Sequence, residues 1–321
     1  MRWRAALAVA VLCLAGTAGT AHAAGRDAQA SEKCVECHDE EDLPDMSRSA
    51  HAVSADPRTP GCVTCHGPSR EHVEKKGGQR PPPDRVFSRK GGSPAAERTE
   101  ACIGCHDRDP KRALWPTSQH HASDVACSSC HRIHTNRDRV LVKTEQPEVC
   151  FACHKEQRVQ LRRPSHHPIP EGKMTCSDCH NVHGSMGPKL VSRDSTNDTC
   201  YTCHAEKRGP FVHGHEPVTE NCANCHNPHG STIAAMLTAR PPMLCHQCHT
   251  SHVTGNVGAL GGQPGVFTAA DPDLGAQIIG TTGGKNVVNI WQARSCMNCH
   301  TQVHGSNNPS TTNPTPAFLG R

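Results

Sequence analysis

The chain has 321 residues, with 21 cysteines and 25 histidines, but only 35% of its residues are hydrophobic and 3% are aromatic. A chain this poor in large apolar side chains does not bury enough area to offset its conformational entropy, which excludes an ordinary amino-acid core. The formal net charge of +4 comes without a basic cluster and with almost no aromatic residues, which excludes a nucleic-acid-binding protein.

Residues 1–23 are predicted to be a secretory signal peptide. Arg2 and Arg4 give a basic start, an apolar stretch follows from Ala5, and residues 21–23 form an A-x-A cleavage site. The apolar stretch is too short to span a membrane comfortably. We therefore expect an exported mature chain, residues 24–321, from which Cys13 has been removed.

The other 20 cysteines form ten C-x-x-C pairs, and a histidine follows each pair immediately. The pairs are Cys34/Cys37, Cys62/Cys65, Cys102/Cys105, Cys127/Cys130, Cys150/Cys153, Cys176/Cys179, Cys200/Cys203, Cys222/Cys225, Cys245/Cys248 and Cys296/Cys299. The histidines that follow them are His38, His66, His106, His131, His154, His180, His204, His226, His249 and His300.

Three kinds of site use paired cysteines. Disulfides suit an exported chain with an even number of cysteines, but they require no histidine after each pair. Zinc sites need two C-x-x-C halves for each metal and no adjacent histidine. C-x-x-C-H is the attachment sequence of a c-type haem, whose iron takes that histidine as its proximal ligand. Because all ten pairs follow this pattern, the sequence predicts ten covalently bound c-type haems.

A six-coordinate haem iron also needs a distal ligand, usually His or Met. The chain has only seven methionines, whereas its remaining histidines stand in ten places, which match ten haems in number. His246 is set aside because it lies inside its own C-x-x-C pair. The ten places are His51, His72, His120 or His121, His134, His166 or His167, His183, His213 or His215, His229, His252 and His304.

A recurring S-x-H string favours one histidine in two of the three ambiguous places. The string occurs at Ser49-Ala-His51, Ser118-Gln-His120 and Ser165-His-His167. It favours His120 and His167 as ligands and leaves His121 and His166 as exposed or hydrogen-bonded neighbours. The motifs alone do not assign a histidine to a particular haem, although we expect some ligands to cross between repeats.

The motifs repeat in pairs, which predicts a stacked array. We divide the mature chain into five two-haem units, at about residues 32–72, 102–134, 150–183, 200–229 and 245–304. The predicted fold class is a multihaem cytochrome c, with short α-helices and loops wrapped around a linear haem array and very little or no β-sheet. We expect each motif to start or sit on a helix of two or three turns, residues 67–100 to form an exposed insertion, and residues 250–295 to form a flexible loop.

From about residue 32 to its end, the chain resembles the MtrA/DmsE family of decahaem c-type cytochromes. The strings TCSDCHNVHG, RGPFVHGHEPVTENCANCHNPHG, RPPMLCHQCH and RSCMNCHTQVHGSNNP carry the resemblance. In that family an H-x-P-V string stands just ahead of the haem motif. Here the string begins at His215, so the resemblance implies that His215 and not His213 is the ligand.

The resemblance implies an electron carrier and not an enzyme, located in the periplasm and associated with the outer membrane. Such a cytochrome inserts into an outer-membrane β-barrel porin. It connects periplasmic or inner-membrane electron-donor cytochromes with an outer-surface multihaem cytochrome or terminal reductase. The current serves extracellular metal reduction, or ferrous iron oxidation if it is reversed.

Two other functions stay open at this point. A soluble periplasmic electron shuttle would carry the same motifs without a barrel partner. A multihaem reductase needs an open iron position, which is often marked by a lysine in the proximal place or by a missing distal histidine. The sequence contains neither departure, so we prefer the electron conduit.

Overall fold

The computed structural model describes residues 31–38, 43–53, 55–56, 58–249, 266–267, 288–289, 296–298 and 300–307. The predicted signal peptide, most of the expected 250–295 loop and the candidate ligand His252 lie outside these residues. The chain divides into two compact parts, Met1–Val149 and Cys150–Arg321, which we call the N-terminal body and the C-terminal body. The division falls between the second and third predicted two-haem units.

Short helices and 3₁₀ turns make up the regular structure of both bodies. The α-helices are α1 (31–35), α2 (Cys62–His66), α3 (Arg70–Glu74), α4 (Ala95–His106), α5 (Gln119–Ala122), α6 (Gln146–Phe151), α7 (Lys155–Gln160), α8 (Thr196–Tyr201) and α9 (Glu216–Glu220). The 3₁₀ turns are Pro110–Arg112, Trp115–Thr117, Cys127–Ser129, Arg139–Leu141, Cys176–Asp178, Pro188–Leu190, Ala205–Lys207, Cys222–Asn224, Ala234–Met236, Cys245–Gln247 and Cys296–Asn298.

The strands of the described residues are two residues long. Strand β1 (His213–Gly214) pairs antiparallel with β4 (Gly305–Ser306), and β2 (Val266–Phe267) pairs parallel with β3 (Val288–Asn289). The predicted fold class, a multihaem cytochrome c of short helices with very little β-sheet, is confirmed. None of the helices within the described ranges combines the length and apolarity that crossing a membrane requires.

Most motifs use a single turn of helix, so the expectation of two or three turns is wrong for all of them except Cys102–His106 at the end of α4. In eight motifs the histidine N–H donates to the carbonyl of the first cysteine at 2.9–3.0 Å. This one hydrogen bond closes the turn and places both cysteines and the histidine around it. A longer helix would need an apolar face to pack, and the composition supplies few such residues.

The segment 67–100 is mostly exposed, as the sequence suggested, but it is also tied to the motif that precedes it. It folds back on the second motif, where Arg85 N donates to His66 O at 3.1 Å and Ser69 N donates to Asp84 Oδ2 at 2.8 Å. Ser69 is buried. Local hydrogen bonds of Ser and Asp therefore fix a segment whose glycines and prolines are typical of a loop.

Two segments, 176–192 and 222–238, fold in the same way and are called modules below. In each, the motif histidine forms an antiparallel bridge with a hydrophobic residue near the end of the module, and the following asparagine closes the loop. The bridges join His180 with Val191 and His226 with Leu237, and the 2.8 Å hydrogen bonds run from Asn181 N to Leu190 O and from Asn227 N to Met236 O.

A glycine with positive φ follows the last histidine of each module and follows His304 as well. The φ angles are 127° at Gly184, 143° at Gly230 and 137° at Gly305, a conformation that residues with a Cβ rarely adopt. A Cβ on Gly230 would lie 2.2 Å from the carbonyl oxygen of Gln160. The backbone conformation after these histidines therefore requires the glycine of the H-G string.

The apolar core of the described residues is small. The buried hydrophobic side chains are Trp115, Ala126, Phe151, Leu161, Ile169, Leu190 and Val191. Only Phe151, Leu161 and Ile169 form a cluster, with Met174 packed against it. Seven buried side chains fall far short of what a chain of this length needs to offset its conformational entropy. The motifs must bind something that replaces the missing core.

We therefore expect the chain to be unfolded when no haem is attached. The matched samples are the same sequence produced with and without the host's cytochrome c maturation machinery. Far-ultraviolet circular dichroism should show a cooperative thermal transition for the haem-loaded protein and none for the haem-free chain. A haem-free chain that keeps the helical signal and melts cooperatively would show that the amino-acid core is sufficient.

Candidate haem sites

Histidine rings face one another in pairs in both bodies. In each of seven pairs, one ring belongs to a C-x-x-C-H motif and the other is a predicted distal ligand. The ring centroids lie 6.0–6.3 Å apart in all seven. The pairs, with the motif histidine first, are His38–His72, His66–His134, His106–His51, His180–His229, His204–His167, His226–His304 and His249–His215.

This spacing fits a metal ion held between the two rings. Metal–imidazole bonds are about 2 Å long, and two such bonds plus the half-width of each ring account for the observed separation. The angle between the ring planes varies from 12° to 72° while the distance stays constant. Packed aromatic rings would vary in both. The chain's own side chains therefore fit a haem iron with two histidine ligands.

The pairing follows a rule along the chain. The histidine that trails an even-numbered motif faces the histidine of the even-numbered motif before it, as His134 faces His66 and His229 faces His180. The spacer histidine after an odd-numbered motif faces the next odd-numbered motif, as His51 faces His106. The first motif is an exception, because His38 faces His72. Most pairs thus join different two-haem units.

In six of the paired histidines, the ring nitrogen Nδ1 is hydrogen-bonded to the backbone. Nδ1 donates to a backbone carbonyl in His66 (3.1 Å), His72 (2.8 Å), His167 (2.7 Å), His180 (3.1 Å), His215 (2.9 Å) and His226 (2.7 Å). A hydrogen bond at Nδ1 fixes the tautomer and aims Nε2 at the metal. The carbonyls belong to Arg85, Pro81, Pro228, Lys189, Val303 and Ala235.

Burial favours the neutral form of five paired histidines. Desolvation lowers the pKa of His106, His134, His180, His229 and His304 below the ordinary histidine value. A metal binds the neutral imidazole, so a lowered pKa reduces the competition from protons.

The neighbouring histidines that the sequence set aside have other contacts. His166 contacts the Arg163 carbonyl through Nδ1 and Glu171 Oε1 through Nε2, and the Glu171 contact is the main reason that its pKa is raised. The ring of His121 lies edge-on to Trp115, with centroids 5.7 Å apart. His213 lies in β1, and its Nε2 is buried without a hydrogen-bond partner.

Two further predicted distal ligands, His120 and His183, also lie among the described residues. His120 is in α5, a helix that Ser118 caps by accepting the His121 N–H at 3.1 Å. His183 follows Asn181, whose Oδ1 accepts the His183 N–H at 3.3 Å. Both stay predictions, as does His252 outside the described residues.

The cysteines of successive motifs are adjacent in an alternating order. The first cysteines of the two motifs in each two-haem unit are hydrogen-bonded, namely Cys34 with Cys62, Cys102 with Cys127, Cys150 with Cys176, Cys200 with Cys222, and Cys245 with Cys296. Between units, the second cysteine of one unit interacts electrostatically with both cysteines of the next motif, namely Cys65 with Cys102 and Cys105, Cys179 with Cys200 and Cys203, and Cys225 with Cys245 and Cys248. These interactions connect successive motifs in chain order, four in the N-terminal body and six in the C-terminal body.

The contacts described above do not include four of the predicted attachment cysteines, namely Cys37, Cys130, Cys153 and Cys299. Cys37 and Cys153 are exposed, and each belongs to the first motif of its body, so no earlier unit of the same body precedes it. Their backbone still follows the motif turn, because the N–H of each donates to the carbonyl of the first cysteine of its motif, at 3.2 and 3.1 Å. Cys299 lies outside the described residues. Haem attachment at the individual cysteines, these four included, stays a prediction from the motifs.

The thiol contacts also shift the cysteine pKa values. The hydrogen bond between Cys102 and Cys127 raises the pKa of Cys102 and lowers that of Cys127, and Cys200 and Cys222 repeat this asymmetry. No disulfide occurs among the cysteines that the structure describes.

Comparison with known proteins identifies the family. Residues 166–209 and 215–254 match the profile of the doubled CXXCH motif, and residues 62–146 match that of the cytochrome c-type protein NrfB-like family. The multiheme cytochrome MtrA of Shewanella baltica (strain OS185) is 42% identical over 285 residues, which cover 87% of this chain and 79% of that protein. The chain belongs to the MtrA family of multihaem cytochromes c.

The cytochrome c-type protein NrfB of Escherichia coli O6:H1 (strain CFT073) is also similar, at 28% identity over 39% of this chain and 65% of that protein. Membership in the MtrA family confirms the resemblance seen in the sequence and establishes c-type haems and an electron-carrying role. The count of ten haems and the individual axial ligands stay predictions.

Sequence reasoning missed the groups that orient the histidines. Backbone carbonyls leave no trace in the identity of a residue, so the acceptors of Nδ1 were invisible. Asp138, whose Oδ2 accepts from His131 Nδ1 at 2.7 Å, was missed as well. Comparing the string that follows His131 with the modules that follow His180 and His226 would have singled it out, because those modules have no acidic residue there.

The adjacent pair His166 and His167 offers a direct test of the axial assignments. His167→Ala should open one haem iron and add a high-spin signal from one site to the electron paramagnetic resonance spectrum of the oxidised protein. His166→Ala should leave the spectrum unchanged, because that ring contacts Arg163 and Glu171 instead.

The same comparison of His215→Ala with His213→Ala tests the second ambiguous place. The high-spin signal should again follow only the variant of the paired ring. A signal that appears in His166→Ala or His213→Ala, with none in its neighbour, would contradict the assignment.

Proposed function

We propose that this cytochrome is an electron-transfer conduit between periplasmic carriers and the cell exterior. Its partners are an outer-membrane β-barrel porin, electron-donor cytochromes of the periplasm or inner membrane, and an outer-surface multihaem cytochrome or terminal reductase. The chain operates in the periplasm in association with the outer membrane. It carries electrons for extracellular metal reduction, or for ferrous iron oxidation if the current is reversed.

The residues of this proposal have separate roles. The twenty cysteines of the ten motifs attach ten haems, the motif histidines are proximal ligands, and the distal ligands are the ten histidines that the sequence analysis favours. When bound, the haem irons accept and release single electrons. The protein holds six of the paired imidazoles in place through Nδ1, and burial favours the neutral form of five by lowering their pKa.

The run of adjoining cysteines within each body is the observation that supports a conduit most directly. Each first cysteine meets the first cysteine of the other motif in its unit, and second cysteines connect one unit to the next, as at Cys102–Cys127 and Cys65–Cys105. Attachment points that follow one another this closely suit transfer along a line. A protein that stored electrons on independent haem sites would need no such order of its attachment cysteines.

The paired histidine rings support a carrier over an enzyme. A catalytic iron keeps one position open for its substrate. In the seven pairs the second ring stands 6.0–6.3 Å from the first, the position that a substrate would need. The assignment of both axial positions to histidine therefore favours electron transfer.

The barrel partner is supported by family membership and by composition. The chain shares 42% identity with the multiheme cytochrome MtrA across most of both lengths. Only 35% of its residues are hydrophobic, which suits the polar lumen of a transmembrane barrel better than contact with lipid. A barrel would supply the lipid-facing surface, so the cytochrome itself would need none.

The partner is tested by fractionation of the native host. A small C-terminal tag allows recovery from outer membranes that are solubilised in mild detergent. We expect the haem-stained band to co-purify with a β-barrel protein and its haems to be protected from protease that is added to intact cells.

A monomeric protein that is recovered wholly in the periplasmic wash would contradict the conduit and favour the soluble electron shuttle. As a control for disruption by the tag, the same fractionation is repeated with the tag moved to Ala24, the predicted mature N-terminus.

The conduit itself is tested in liposomes that contain the purified barrel partner and the cytochrome, with a reduced dye inside and a soluble ferric complex outside. Wild-type protein should oxidise the dye. A variant with Cys200→Ser and Cys203→Ser lacks one link in the middle of the run, and its rate should fall at least about tenfold.

His166→Ala is the matched control, because it changes a histidine in the same body and leaves every link in place. Equal rates for the cysteine variant and wild type, or equal rates for liposomes with the barrel alone, would contradict a current that runs through the chain.

A further inference from the structure

One motif histidine has an anionic hydrogen-bond partner. The Nδ1 of His131 donates to Asp138 Oδ2 at 2.7 Å, whereas His66, His180 and His226 donate to neutral backbone carbonyls. All four are proximal ligands in the proposed assignment. The protein therefore treats one proximal imidazole differently from the other three.

Both oxygens of the Asp138 carboxylate are hydrogen-bonded, which holds the carboxylate against His131. Its Oδ1 accepts the Arg132 N–H at 3.2 Å, which fixes the plane of the carboxylate, and the side chain is only 14% exposed. The flanking Arg137 and Arg139 both pair with Glu145, at 2.7 and 3.2 Å. These two arginines are therefore paired with Glu145 and not with Asp138. The negative charge of Asp138 faces the imidazole of His131.

A purely structural role does not account for this orientation. Asp138 stands at the N-cap of the turn Arg139–Leu141, but its side chain makes no capping hydrogen bond there. In the modules after His180 and His226, the chain bends back so that a carbonyl of Lys189 or Ala235 reaches Nδ1. The string HRIHTNRD from His131 to Asp138 reaches the same atom with a carboxylate.

We propose that Asp138 lowers the reduction potential of the haem attached at Cys127 and Cys130. The inference rests on the proposed role of His131 as the proximal ligand. A carboxylate that accepts from Nδ1 makes the imidazole a more basic ligand, and its charge acts across a short distance in a partly buried site. Both effects stabilise the ferric state, which carries one more positive charge. Reduction adds one electron and changes no ligand.

The test is a spectroscopic redox titration of the full haem-loaded protein with Asp138→Asn, which removes the charge at nearly constant shape. One haem should become easier to reduce by about tenfold in its equilibrium constant, which is about 59 mV for a one-electron couple. The other haems should titrate as before. The electron paramagnetic resonance spectrum should stay low-spin, because the histidine ligands are retained.

Glu206→Gln is the matched control. It also removes one negative charge near a motif histidine, but Glu206 Oε1 lies 3.7 Å from His204 Nδ1, beyond hydrogen-bond distance, and both side chains are more than half exposed. Its titration should coincide with that of wild type. Asp138→Glu keeps the charge on a longer side chain and should lie closer to wild type than Asp138→Asn does.

Three results would overturn the inference. The first is a titration of Asp138→Asn that coincides with wild type at full haem content, and the second is a shift of equal size in both control variants. The attached haems are counted by intact mass, and an Asp138→Asn protein that lacks one haem would make Asp138 a residue of haem incorporation instead. Fractionation and liposome transport do not depend on this carboxylate, so a failure here leaves the conduit proposal standing.

Discussion

Paired histidine rings, about 6 Å apart, are the constraint on which the arrangement of both bodies depends. A motif fixes only a single helical turn, which has no stable position by itself. The ring that faces it comes from another part of the same body, as His229 comes to His180 and His134 to His66. Each pair therefore closes a loop in the chain, and these closures take the role that packed apolar side chains have in other proteins.

The small apolar core is compatible with this arrangement because the cofactor has the missing apolar surface. The cluster of Phe151, Leu161 and Ile169 serves one segment of the C-terminal body and not the whole chain. Hydrogen bonds from Nδ1 to carbonyls connect the same histidines to the backbone, so the loops and the metal sites are ordered together. Folding and haem attachment are then parts of one process.

The sequence predicted the fold class and the chemical nature of the sites, because thioether attachment needs C-x-x-C-H whatever the surrounding fold. It also separated His167 from His166 through the S-x-H string, and the structure pairs His167 with His204 while His166 contacts Glu171. It did not identify which rings face one another, since that depends on how loops of different length fold back. Helix lengths were predicted wrongly and the hydrogen bonds of residues 67–100 to the second motif were not foreseen, because local composition says little about hydrogen bonds to distant backbone.

The alternation of cysteine contacts has a consequence for how such chains change in length. The two first cysteines are hydrogen-bonded within a two-haem unit, whereas between units a second cysteine interacts electrostatically with both cysteines of the next motif, so odd and even motifs are not interchangeable. Six of the seven histidine pairs obey the same parity, since they join motifs two places apart, and His38–His72 is the exception. Gain or loss of a single motif would put odd motifs in the places of even ones and disrupt both patterns. Insertion or deletion of a whole two-haem unit would preserve both patterns.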